Sequence, residues 1–307
     1  MSESGISKIG VIGIGTMGNG IAQVAAQSGF DTVVMDVNQE VLERGMGNLA
    51  RSLDRLVKAY DKSGGEKGIS AAQKDETLGR LRTTTELGDL LDRDAIIEAA
   101  PEIPELKEKI NRQLAELGYD KLLASNTSGI SITRLAAAYG KPDRYMGMHF
   151  MNPVPMQQGV EIIRGLGTSQ ATYETVVKLC HDLGKTEIPA EDKAGFAVNR
   201  AFVPFVNEAI RVIEEGIASV EDMDKVTLCL GHKMGPLMTA DFVGLDVMVF
   251  IAKVLEEELG SFYKPTALLK RLVESGQLGA KTGRGFYLWE GYKAVGVNPD
   301  VARYRIG

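Results

Sequence analysis

The sequence predicts an α/β fold, a doubly wound parallel sheet followed by an all-α C-terminal domain. Two observations carry this. Through the first half, short apolar runs alternate with helically periodic segments, the pattern of a parallel sheet covered by helices. From about Asp192 the strand signals stop and only long helical patterns remain. The length of 307 residues also favours two domains, because single cores stop growing at roughly 250–300 residues.

The elements follow in order. Residues 9–14 form the first β-rich run and lead directly into Gly13-Ile14-Gly15-Thr16-Met17-Gly18. Ile21, Val24 and Ala25 then keep helical spacing, and Gly29 stands where a left-handed residue would close that helix. Residues 32–35 are the second strand, which completes a βαβ unit and makes the sheet Rossmann-like. After Asn38 a helix places Leu42, Met46, Leu49, Leu53, Leu56 and Tyr60 on one face. Residues 61–74, glycine-rich and of mixed charge, read as a mobile loop.

Further strands are expected at 95–97, 122–124 and 145–148, with 160–163 returning after an extended loop enforced by Pro153 and Pro155. Helices are expected at 198–215 closed by Gly216, 220–230 opened by Ser219, 245–259 and 266–274. The domain boundary is expected near 189–193, where Pro189 and a charged run end the last strand-like segment. The resulting domains are 1–190, 191–290 and a tail, 291–307, without helical period.

Composition narrows the function. A net charge of -6 opposes general binding to nucleic acid. No run approaches the roughly 20 apolar residues that span a membrane, and the N-terminus has neither signal nor transit character, so a cytoplasmic setting is expected. The two cysteines, Cys180 and Cys229, lie on separate predicted helices and read as buried free thiols. No histidine stands at metal-ligand spacing, so no metal is expected.

The glycine pattern gains meaning from its context. Gly13 ends a strand, Gly18 opens a helix, and Asp36 ends the next strand about 20 residues beyond the glycines, suited to accept from the adenosine ribose hydroxyls of a dinucleotide. Gly13, Gly15, Thr16, Met17, Gly18 and Asp36 are therefore candidate cofactor contacts. Asp36 favours NAD, since a 2'-phosphate would meet a like charge. Glu102 and Lys107 follow the strand at 95–97 and are candidates for the nicotinamide ribose, with a charged first helical turn as the alternative.

His149 closes one strand-like run and Glu161 lies on the returning one. Imidazole titrates near working pH, and a carboxylate beside it would fix its tautomer, so the pair reads as a base with its orienter. Ser125-Asn126-Thr127-Ser128-Gly129 ends a neighbouring strand. Asn126 is a candidate cofactor contact there, and Ser128 stays available for substrate because Ser131 is better placed as the helix cap. Asn199 opens the helical domain, facing a cleft or serving as a cap. His181 and His232 lack such company and read as structural. Arg51, Arg55 and Lys58, with Arg44 nearby, form a basic stripe at i, i+4 and i+7 suited to a multiply phosphorylated ligand such as coenzyme A. A solvated face paired with Asp54 and Glu43 is the alternative.

These residues resemble a known family. Residues 11–23, Ser125-Asn126-Thr127-Ser128, Met148-His149-Phe150 with Asn152-Pro153-Val154-Pro155, residues 195–200, Met234-Gly235-Pro236, residues 241–246 and Lys281-Thr282-Gly283-Arg284-Gly285-Phe286-Tyr287 match the short-chain (S)-3-hydroxyacyl-CoA dehydrogenases over nearly the whole chain. Within that family the chain is most similar to bacterial 3-hydroxybutyryl-CoA dehydrogenases.

The resemblance implies an NAD-binding domain, a helical domain that forms a homodimer, and a short-chain acyl-CoA substrate, acetoacetyl-CoA or (S)-3-hydroxybutyryl-CoA. It implies His149 as base, Glu161 as its partner, Ser128 and Asn199 on the substrate oxygens, Asp36, Glu102 and Lys107 at the cofactor, and Arg51, Arg55 and Lys58 near the CoA phosphates. Gln157-Gln158-Gly159 departs from the family pattern, and the loss of a side chain at Gly159 suggests a larger pocket or a looser strand beside Glu161. Met151 and Met238 also depart from it. Rival readings are a dehydrogenase of a free 3-hydroxy or sugar acid, and a non-catalytic NAD-binding protein.

Overall fold

The computed structural model describes residues 2–291 and 293–302. It divides into two compact units, Met1–Lys193 and Ala194–Gly307, each with its own apolar core.

The first unit runs β1 (Lys8–Ile12), α1 (Thr16–Gln27), β2 (Asp31–Met35), α2 (Gln39–Ser63), α3 (Ala71–Gly79), β3 (Leu81–Thr84), β4 (Ala95–Glu98), α4 (Pro104–Glu116), β5 (Leu122–Ser125), α5 (Ile132–Tyr139), β6 (Tyr145–Phe150), β7 (Gly159–Arg164), α6 (Gln170–Asp182) and β8 (Thr186–Glu191). One eight-stranded sheet has the order β3-β2-β1-β4-β5-β6-β7-β8. The reversal of strand order at β1/β4 is the topological switch where such sheets bind ligands, outside the carboxyl ends of the strands.

Strands β1 to β6 are mutually parallel, but β7 pairs antiparallel to β6, and β8 runs with β7. The sheet is therefore mostly, not wholly, parallel. The cause is the connection 151–158, which contains no crossover helix and so returns as a hairpin. Pro189 does not end the last strand. It lies within β8, an edge strand, where a missing N–H is tolerated.

The expected loop at 61–74 is shorter in the structure. Helix α2 continues to Ser63 and closes on Gly64 in the left-handed conformation, while Ser70 and Gln73 form a capping box that opens α3. Glycine at position 45 lets α2 approach the glycine-rich loop, since a β-carbon there would come within 2.6 Å of Ile14 Cγ1.

The second unit comprises α7 (Val198–Glu214), α8 (Val220–Cys229), α9 (Pro236–Val243), α10 (Leu245–Leu259), α11 (Ala267–Glu274), β9 (Tyr287–Glu290), β10 (Lys293–Val297) and α12 (Pro299–Ala302). The segment expected to be an unstructured tail is partly ordered: β9 and β10 pair antiparallel and α12 follows, while residues 292 and 303–307 lie outside the described residues.

Three buried carboxylates organise this unit. Asp224 accepts from Leu237 N at 2.9 Å and Met238 N at 3.0 Å, capping α9, and from Tyr287 Oη at 2.8 Å. Glu214 accepts from Leu268 N at 2.7 Å in the first turn of α11. Asp241 accepts from Phe286 N, Tyr287 N and Trp289 Nε1, each at 2.9 Å. A β-carbon on Gly285 would collide with the Asp241 carboxylate, which is why the segment leading into β9 passes through glycine. Cys180 is buried as expected, whereas Cys229, in the last turn of α8, is exposed. Both are free thiols.

Candidate active site

The site is built at the carboxyl ends of β1, β2, β4, β5 and β6. At β1 the three glycines have different jobs. Gly13 has φ +91°, and a β-carbon there would come within 2.7 Å of Ala99 O. On Gly18 a β-carbon would strike Gly13 O, so this glycine allows α1 to start against the turn. A β-carbon on Gly15 would meet nothing within 4 Å, and Gly15 is the N-cap of α1 with no side chain capping the helix. The open space therefore lies before an uncapped helix N-terminus, a cradle suited to a pyrophosphate.

Asp36, one residue beyond β2, accepts from Ile14 N and Val37 N at 2.8 Å each. Each carboxylate oxygen keeps a second lone pair for ribose hydroxyls, so Asp36 both braces the glycine loop and suits an adenosine.

At the ends of β4 and β5 the charged side chains bond to one another and to the adjoining loops. Lys107 is buried and donates from Nζ to Glu98 Oε1 at 2.7 Å and Ala100 O at 3.0 Å, with Glu102 Oε2 at 3.6 Å. Glu98, fully buried, also accepts from Ser125 Oγ at 2.7 Å and Ala100 N at 2.6 Å. Glu102 Oε1 takes Thr127 Oγ1 at 2.6 Å, Ser128 N at 2.7 Å and Gly129 N at 3.1 Å. Glu102 and Lys107 thus shape the loop that carries Ser128. Sequence reasoning missed Glu98. Its signal was a glutamate ending an otherwise apolar strand, with a lysine on the helix that follows.

Asn126 is buried, and its Oδ1 accepts from Phe150 N at 2.9 Å, tying the end of β5 to the end of β6 beside His149. Ser131 caps α5 by accepting from Arg134 N, so Ser128, half-buried, is not spent on the cap.

His149 and Glu161 face each other directly in the β6–β7 register. His149 Nδ1 lies 2.7 Å from Glu161 Oε2, with the histidine 7% and the glutamate 0% exposed. With the proton of this bond on Nδ1, the ring presents Nε2 as its second proton-exchanging atom. Gly159, at the start of the strand carrying Glu161, pairs with Thr186 of β8. A β-carbon there would come within 2.8 Å of Ile188 Cδ1, so β8 fills that space.

Arg51, Arg55 and Lys58 are exposed on α2. Arg51 donates to Asn48, while Asp54 pairs with Lys74 at 2.5 Å and Glu43 accepts from Gln39 at 3.1 Å. Of the carboxylates beside the stripe, Asp54 bonds to Lys74 while still feeling the charge of Lys58, and Glu43 bonds to Gln39. Lys74 beside Asp54 holds that carboxyl below its usual range. Asn199 belongs to the second unit, where it is buried in the first turn of α7. His181 pairs with Glu187 at 2.6 Å, and His232 stacks on Phe205 with centroids 5.5 Å apart.

Comparison with known proteins assigns both halves of the chain to one family. The NAD binding domain of 3-hydroxyacyl-CoA dehydrogenase matches residues 8–193, and the C-terminal domain of the same family matches residues 195–289. The chain is 47% identical over 283 residues to a probable 3-hydroxybutyryl-CoA dehydrogenase of Deinococcus radiodurans, covering 91% of this chain and 99% of that protein. It is 46% identical over 297 residues to the 3-hydroxybutyryl-CoA dehydrogenase of Bradyrhizobium diazoefficiens, covering 94% and 98%. The crystal structure of FadB2 of M. tuberculosis superposes with a TM-score of 0.88 at 41% identity, covering 93% of this chain and 99% of that one. With an NAD-binding first half and a matching second half, the chain belongs to the 3-hydroxyacyl-CoA dehydrogenase family.

Proposed function

We propose that the chain catalyses reversible hydride transfer between NAD(H) and a short-chain 3-hydroxyacyl-CoA/3-ketoacyl-CoA pair, acetoacetyl-CoA and (S)-3-hydroxybutyryl-CoA. The observation that carries this reading is the His149–Glu161 pair, held on opposed strands of the sheet whose β1 edge forms the dinucleotide cradle. The relatives named 3-hydroxybutyryl-CoA dehydrogenase support the acyl chain.

When bound, the dinucleotide supplies or accepts hydride at C3 of the substrate. Gly13, Gly15, Thr16, Met17 and Gly18 would hold its pyrophosphate, Asp36 its adenosine ribose, and Asn126, Glu102 and Lys107 its nicotinamide end, with Glu102 and Lys107 at the ribose there. In the reductive direction protonated His149 gives its Nε2 proton to the oxygen on C3. Glu161 stabilises the imidazolium that precedes this transfer and keeps Nδ1 protonated after it. Ser128 and Asn199 hold the substrate oxygens, a contribution typically worth about 3 kcal/mol per well-aimed donor. Arg51, Arg55 and Lys58 hold the CoA phosphates.

The second unit carries the homodimer contact in this reading. The setting in this reading is cytoplasmic; among the described residues no helix is long and apolar enough to cross a membrane.

The test is the initial rate of NADH and NADPH oxidation by purified protein given acetoacetyl-CoA or free acetoacetate. Turnover with the thioester and NADH is expected. Turnover on the free acid alone would assign a hydroxy-acid dehydrogenase instead, and none with either would assign a binding role.

A further inference from the structure

The segment 151–158, which joins β6 to β7, leaves the strand of His149 and returns on the strand of Glu161. It is longer than the two to five residues usual in hairpins (about that range), and its own backbone bonds are one turn, Met156 N and Gln157 N to Pro153 O at 2.9 and 3.0 Å. It is held from outside on two sides. On one, buried Val154 sits on α1, where a β-carbon at Gly20 would come within 2.7 Å of Val154 Cβ. On the other, Lys185 reaches from the turn before β8, and its Nζ donates to Val154 O at 2.6 Å and Gln157 O at 2.7 Å.

Lys185 is 8% exposed, and among the described residues no carboxylate pairs with it. Burial pushes its pKa down. A buried ammonium without a counter-ion is costly. An apolar side chain would fill the same space without that cost, so the cation is accounted for by the two loop carbonyls it holds.

We propose that Lys185 is a positioning residue for the catalytic pair. Its ammonium clamps the carbonyls of Val154 and Gln157, seats the 151–158 loop against α1, and thereby fixes His149 and Glu161 relative to the dinucleotide cradle. This rests on the function proposed above for its kinetic consequence, though the clamp itself does not.

The test compares Lys185→Met and Lys185→Arg with wild type in the full chain, by amide hydrogen exchange and by acetoacetyl-CoA reduction. Lys185→Met is expected to speed exchange at Met156 and Gln157 on the order of tenfold while β1 and β4 keep wild-type protection. It is expected to lower kcat on the order of tenfold, move the histidine limb of the kcat pH profile, and leave the thioester KM within about threefold. Lys185→Arg, which keeps cationic donors, should recover most of both losses. Wild-type exchange in the loop of folded Lys185→Met would overturn the clamp. A loosened loop with unchanged kcat and pH profile would overturn the positioning role. Should Lys185→Met not fold, Lys185→Gln, with an amide donor for one carbonyl, is read against the same two criteria. Because exchange needs no turnover, a wild-type protein inactive on the thioester would refute the proposed function and leave the clamp to be judged by exchange.

Discussion

His149 and Glu161 are directly opposed residues of the antiparallel β6–β7 pair, joined Nδ1 to Oε2 at 2.7 Å. Side chains opposite each other on two strands share one face of the sheet, so the register itself delivers the carboxylate to the imidazole. A slip of one residue would turn Glu161 to the other face.

Glu161→Gln keeps the shape of the side chain and the strand pairing but removes the charge that stabilises an imidazolium. We predict a fall in kcat on the order of a hundredfold or more, with KM for the thioester nearly unchanged. Steady-state kinetics on the folded variant measures this, and a kcat within about threefold of wild type would remove Glu161 from the proton transfer.

Gly15 and Gly18 should separate cofactor binding from folding. Gly15 has an ordinary φ of -59° and open space before it, so Gly15→Ala is expected to fold with wild-type stability yet bind NADH on the order of tenfold more weakly, a loss of about 1.4 kcal/mol. Gly18→Ala meets the Gly13 carbonyl and should lower the thermal midpoint as well. NADH titration and thermal unfolding of both variants read the contrast.

Lys107 and Glu98 form a buried ion pair at 2.7 Å. Lys107→Met leaves Glu98 buried and uncompensated, and should cost about 3–5 kcal/mol of stability by urea unfolding. Adding Glu98→Gln should recover part of that loss. A double variant as unstable as the sum of the two single ones would show that the pair is not coupled.

Asp241 predicts a pH signature in the second unit. Burial, offset in part by its three N–H donors, raises its pKa from 3.8 to about 6. The native state therefore binds this proton more tightly than the unfolded chain. The stability Asp241 contributes is fully present below about pH 4 and lost as pH rises through about 6, a change of about 3 kcal/mol. Carboxylates such as Asp92, held low mainly by its hydrogen bond to Arg93, act in the opposite direction, so the readout is the difference between wild type and Asp241→Asn. Urea midpoints from pH 4 to 7 should show that difference changing with pH. Asp241→Asn also loses acceptors at every pH, so the slope, not the level, decides.

The βαβ start, the helix caps at Ser131 and Ser219, and the return of Glu161 to His149 were legible because each rests on local chemistry: φ-tolerant glycines, short hydroxyl caps, and prolines that keep the connection extended. The capping box Ser70–Gln73 was equally local, but the glycines and charges around it masked it as loop. What could not be read depends on tertiary partners. Nothing local says that Lys107 turns inward to Glu98, that Asn126 reaches Phe150 N, that Ile188 fills the space beside Gly159, or that Lys185 holds the loop of the catalytic pair. Strands β3 and β10 escaped notice because their residues show little of the apolar alternation that marks a half-buried strand, and β9 because its four residues make too short a run.

The role of His149 is tested most directly by acetoacetyl-CoA-dependent NADH oxidation by wild type and His149→Ala, with NADH affinity measured on both. We predict turnover by wild type, a loss on the order of a hundredfold to ten-thousandfold in His149→Ala, and NADH binding within about twofold. Wild-type turnover in His149→Ala would contradict that role.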